Sequence, residues 1–122
     1  MADWVKDFEK VTKTLMPHYD KNFVNRIFEP QKYGSIKNED GSISSHRMRW
    51  DHLNIGGEEV PAMYPTIFWK DGEFIDLSGE DDLDAAKQYA IENNEYIPFK
   101  SEKEADWTER HYKMIWGHKP RK

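Results

Sequence analysis

His46, Arg47, Arg49, Asp51 and His52 form the densest cluster of proton-moving and anion-holding side chains in this chain. Imidazole beside carboxylate suits general acid–base work and metal-assisted hydrolysis. A small hydrolase or nuclease using His46, Arg47, Asp51 and His52 is therefore the first chemistry to weigh. The spacing argues against it. Ser44, His46, Met48, Trp50 and His52 alternate with Ile43, Ser45, Arg47 and Arg49, a period-2 pattern that predicts a strand. His46 and His52 then share a face but lie roughly 20 Å apart along a straight strand, too far to chelate one ion. Ser45 and His46 point to opposite faces. Ser44 shares the face of His46 but lacks the Gly-x-Ser-x-Gly elbow of an activated serine.

No other stretch supplies a better template. His111 and His118 straddle the end of the last predicted helix without a His-Glu-x-x-His frame. The acidic run over residues 79–84 lacks the glycine and glutamate that a calcium loop needs, and a helix start explains its charge. Gly56-Gly57 has no Lys-Ser/Thr partner and reads as a turn. With no cysteine there is no thiolate ligand, thiol nucleophile or disulfide. The expectation is a chain with no catalytic residue, no metal site and no cofactor.

The elements that must position these residues follow from periodicity. Trp4, Phe8, Val11 and Leu15 make one helical stripe over residues 3–16, which Pro17 ends. Asp20 is placed to cap a second helix carrying Phe23, Val24, Ile27 and Phe28, stopped by Pro30. Strands are expected near residues 35–36, 43–53, 58–63, 66–69 and 73–77. Turns fall at Glu39-Asp40-Gly41, at 54–57 and at Asp71-Gly72. Pro61 and Pro65 should sit at edges, starts or bulges rather than in a central ladder. Helices follow near 81–93 and 102–116, the second opened by a Ser101–Glu104 capping box and closed by Gly117. Residues 96–99 read as an extended link between them. The predicted fold is α+β: one small antiparallel meander of about four strands over residues 35–77, with both C-terminal helices packed on one face. An N-terminal helical segment (1–30) precedes an α+β core (31–122), one domain overall.

Composition narrows the function classes. A 14% aromatic share with five tryptophans argues against disorder and for an aromatic-rich core. A net charge of −5 argues against a dedicated nucleic-acid binder, which needs a basic surface. The basic residues 118–122 read as a solvated terminus. No apolar run approaches the ~18 residues of a membrane span, and the first ten residues lack an apolar signal core. A soluble chain starting near Met1 is expected.

From Phe23 onward the order of motifs has a precedent. Arg26, Ile27 and Pro30 precede an Asn-x-Asp-Gly-Ser-x-Ser-Ser-His-Arg-Met stretch over residues 38–48. Gly56-Gly57, a Tyr-Pro-Thr-Ile strand at 64–67 and an Ala-rich helix follow. Ile-Pro-Phe-x-Ser-x-x-Glu-Ala at 97–105 and Tyr112-Lys113 close the series. This series, covering about three quarters of the chain, resembles a module of tailed bacteriophages. That module occurs as small stand-alone proteins and within large polyvalent or internal virion proteins. It brings no catalytic residue with it. It implies a phage protein, in the particle or in the infected host's cytoplasm, whose partners are other virion proteins or a host protein. An inhibitor of a host defence or host enzyme is the rival role, since acidic surface steers toward basic partners.

Candidate contact residues on this reading are Trp4, Phe8, Val11, Leu15, Arg47, Arg49 and Trp69, with an oligomer among the options. The stripe from Trp4 to Leu15 either folds onto the core or docks on a partner. His46, Met48 and Trp50 are expected to pin the meander from inside, with Met48 and Trp50 buried and Arg47 and Arg49 exposed.

Overall fold

The computed structural model describes residues 3–29, 32–33, 36–37, 43–44 and 48–116. Helix α1 (Asp3–Leu15) is followed by a 3-10 turn at Met16–His18, and α2 spans Asn22–Phe28. Strands β1 (Ile36–Lys37) and β2 (Ile43–Ser44) pair briefly. Next come β3 (Met48–Ile55), β4 (Glu58–Pro65), β5 (Ile67–Lys70) and β6 (Glu73–Asp76). A 3-10 turn at Glu80–Asp82 opens α3 (Leu83–Glu92). Strand β7 (Ile97–Pro98) leads to α4 (Glu102–His111), which tightens into a 3-10 helix over Tyr112–Trp116. The fold is α+β, and no helix among the described residues is long and apolar enough to cross a membrane.

The strands do not form the single meander expected from the sequence. Among the described residues they form three antiparallel sheets: β1-β2, β3-β4-β7 and β5-β6. Pro65 ends β4, and the chain leaves the sheet before β5. The place beside β4 is taken by β7, the segment that reads in sequence as a link, through Ala62↔Pro98 and Met63↔Ile97. Pro61 and Pro65 therefore stand in the middle strand, against expectation. The tight β3–β4 turn explains why they are tolerated. Gly56 and Gly57 adopt φ of 61° and 91°, left-handed values that suit a two-residue hairpin loop. Such a loop makes Ile55↔Glu58 a hydrogen-bonded pair, and alternation then makes His52↔Pro61 and Met48↔Pro65 non-hydrogen-bonded pairs. Neither proline is asked for an N–H by β3, and Pro61 still accepts from Phe99 N at 2.8 Å.

The same alternation sorts the side chains. Met48, Met63 and Ile97 share one face of the sheet. They pack with Val11, Leu15, Phe23, Val24, Ile27, Tyr112 and Met114 from the N-terminal helices and the end of α4. Leu53, Ala62 and Tyr64 share the other face and pack with Ala86 and Ala90 of α3 and Phe68 of β5. Helices α3 and α4 thus cover opposite faces, a correction to the one-face arrangement. The reason is that β3 carries buried residues of both parities, Met48 and Leu53. The sheet is a partition with a core on each side.

Helix ends show one expected cap and one missed. Ser101 accepts the N–H of Glu104 at 3.2 Å, as the capping box requires. Asp20 does not cap α2. Lys21 occupies the N-cap without a side-chain bond, and the N–H groups of Asn22 and Phe23 donate to the carboxylate of Glu95.

Candidate functional site

Strand β3 is the outer strand of its sheet, and among the described residues nothing pairs with its far side. Because Arg49, Asp51, Leu53 and Ile55 bond toward β4, the main-chain N–H and C=O of Met48, Trp50, His52 and Asn54 point to that open side. Sheet edges bind extended chains, so nearby side chains decide whether this one is guarded or receptive.

One amide is guarded. His52 N donates to Asp51 Oδ1 at 2.7 Å, while Asp51 Oδ2 takes Lys87 Nζ of α3 at 2.6 Å. Partial burial alone would raise the Asp51 carboxyl, but Lys87 and the His52 N–H hold it below the ordinary range. The hydrogen bond to Asp51 raises Lys87 in turn. On the other face, Trp50 Nε1 donates to Asp106 Oδ1 at 3.1 Å, and Asp106 Oδ2 also takes Arg110 Nη2 at 3.0 Å. His52 Nε2 lies 3.2 Å from Glu102 Oε1, and its ring meets Trp50 edge-on at 6.0 Å. Helices α3 and α4 thereby hold the edge from both sides. Arg49 is exposed, stands opposite Tyr64 and enters no ion pair among the described residues. Beside it a cleft of about 590 Å³ opens between Arg49, Trp50, Ser78, Glu109 and Lys113.

No family model, curated protein or solved structure matches this chain.

The geometry brings Asp51 and His52 together only loosely. They project to opposite faces, with His52 Nδ1 3.9 Å from Asp51 Oδ1. His46 and Arg47 lie outside the described residues. No group of three His, Cys, Asp or Glu among the described residues is arranged to hold a metal ion. Met48 is 5% exposed, Trp50 is half-buried against Asp106, and Trp69 is half-buried between the rings of Tyr33 and Phe74. Val11 and Leu15 are fully buried, so that half of the N-terminal stripe is core and leaves the set of contact residues. Phe8 remains exposed, as do Met16 and Tyr19, while the side chain of Trp4 lies outside the described residues.

Sequence reasoning missed Glu95 and Arg26. Arg26 is 2% exposed in α2, donating to Asn22 Oδ1 at 3.0 Å and to the Ile67 carbonyl at 2.6 Å. Burial lowers its guanidinium to about 10, although the nearby Glu95 opposes the shift. Burial pushes the Glu95 carboxyl up to about 7 in spite of Arg26 and the amides of Phe23 and Asn22. Lys21 Nζ reaches the Asn94 carbonyl at 2.7 Å across the same junction. No local spacing announces a pair so far apart along the chain.

Proposed function

We propose that this chain is a non-enzymatic phage protein, a virion-associated structural or internal component that works through protein–protein contacts. The observation that carries the reading is the open main-chain edge of β3, held by α3 and α4 and flanked by the exposed Arg49. An incoming strand gains hydrogen bonds from the backbone of Trp50 and Asn54. The side chains of Arg49, Trp50 and His52 then select which strand fits. The order of motifs from Arg26 to Lys113, with its likeness to the phage module, supplies the context and makes virion proteins the partners, a further copy of this chain among them.

Quantitative mass spectrometry of purified particles tests this. A fixed copy number per particle is the expected result. Absence from particles together with early synthesis in the infected cell would replace the structural role by that of a host-directed inhibitor.

A further inference from the structure

The chemistry along β3 also specifies a partner, and the argument rests on the edge being the contact surface. Arg49 and Asp51 are two apart on one strand and therefore share a face, on either side of Trp50. Among the described residues, the main-chain groups that point outward belong to the even-numbered residues, Met48 to Asn54. An antiparallel partner identical to β3 must therefore match even residues with even residues. Centring the pair on Arg49 sets Arg49 against its own copy, and centring it on Asp51 sets Asp51 against its own copy. Like charges directly opposite are unfavourable. Centring on Trp50 places Arg49 of each strand opposite Asp51 of the other, at non-hydrogen-bonded positions where side chains approach most closely. Trp50 then meets its own copy, and Met48 faces His52, continuing the face that carries Met48, Met63 and Ile97.

We infer that β3 pairs antiparallel with β3 of a second copy of this chain, about a two-fold axis at Trp50, with two reciprocal Arg49–Asp51 ion pairs. The sheet then runs β7-β4-β3 into β3-β4-β7 of the second copy, an isologous contact of the kind two-fold symmetry requires. Asp51 acts as a gate as well as a partner. In the single chain its carboxylate covers the His52 N–H, and turning toward Arg49 of the second copy frees that N–H for the Met48 carbonyl of the new strand.

Charge exchange tests the register. Sedimentation velocity across a range of concentrations should show the 14.6 kDa chain doubling in mass. Arg49→Asp and Asp51→Arg, each alone, should be monomeric where the parent chain is dimeric. Their equimolar mixture should dimerise again. The aspartate introduced at position 49 of one variant then faces the arginine introduced at position 51 of the other, and the unchanged Asp51 faces the unchanged Arg49. A monomeric parent, single variants that dimerise as well as the parent, or a mixture that stays monomeric would each overturn the proposal.

Asp51→Arg also loses the Lys87 pair, so a second measurement avoids both charges. Trp50→Cys places the only cysteine of the chain on the axis. The facing Cα atoms of a hydrogen-bonded pair are about 5.5 Å apart, within disulfide reach. Mild oxidation should give a covalent dimer with this variant and none with Asp71→Cys on the β5–β6 turn. Equal cross-linking of the two, or none at Trp50→Cys, would count against the two-fold seam. A monomeric chain that is nonetheless present in particles removes the dimer and keeps the virion role. A dimer absent from particles does the reverse.

Discussion

Glu95 gives its carboxylate to two amides at the start of α2 while buried beside Arg26, and this makes the fold sensitive to pH. Its folded value of about 7 lies above the ordinary 4.5, so the folded chain holds the proton more tightly than the unfolded chain. The resulting stability is fully present below the unfolded value and is lost as pH rises through about 7. Between mildly acid and mildly alkaline buffer the loss is on the order of 2 kcal/mol. Denaturant melts of the parent chain should show it, and Glu95→Gln, which keeps an acceptor without the charge, should be nearly flat over that window. A flat parent curve would contradict the assignment. Met48 and Trp50 separate by burial in a similar way. Met48→Ala should cost about 2–4 kcal/mol by opening a cavity in the core. Trp50→Ala, half-buried with one hydrogen bond to lose, should cost roughly half as much. Alternation in the sequence places these two on one face, but nothing local could say that Asp106, on a helix formed much later in the chain, would hold the indole.

At the scale of elements, the β3–β4 hairpin depends most on single residues. Gly57 stands at φ +91°, where a side chain is strained even though nothing crowds the space around it. Gly57→Ala should lower stability by roughly 1 kcal/mol, read as a drop of several degrees in melting temperature. An unchanged melting temperature would show that the turn tolerates the strain. Turns and helix starts are written locally, and the Gly56-Gly57 turn, the Asp71-Gly72 turn and the Ser101 cap are legible for that reason. Pairing between distant elements is not written locally. Two residues, one of them Pro98, are too few to advertise a strand, yet they find β4 because Ile97 belongs to the same buried face as Met63. Asp20 fails as the cap of α2 on the same grounds: the group that serves the helix arrives from the α3–β7 loop.

For the whole molecule, the consequence of a sheet with two cores is that its ends are not dispensable. Val11 and Leu15 seal one core from α1, and Lys10 lies 3.9 Å above the ring of Trp107 on α4. Removing residues 1–16 should therefore abolish cooperative unfolding, whereas a truncated chain that melts as sharply as the parent would make α1 an appendage. What such a two-sided sheet leaves available is its rim, and β3 is the long strand on that rim. The central claim is that the chain acts through this edge. Its most direct test is the copy number, in purified particles, of Asn54→Pro set against Asn54→Ala. The first removes an outward N–H from β3 and the Asn54 Oδ1 acceptor of the Gly57 N–H, whereas the second loses the acceptor alone. With folding confirmed by circular dichroism, Asn54→Pro is expected to be strongly depleted from particles that carry the parent chain and Asn54→Ala at fixed stoichiometry. Incorporation of Asn54→Pro equal to that of Asn54→Ala would contradict the claim.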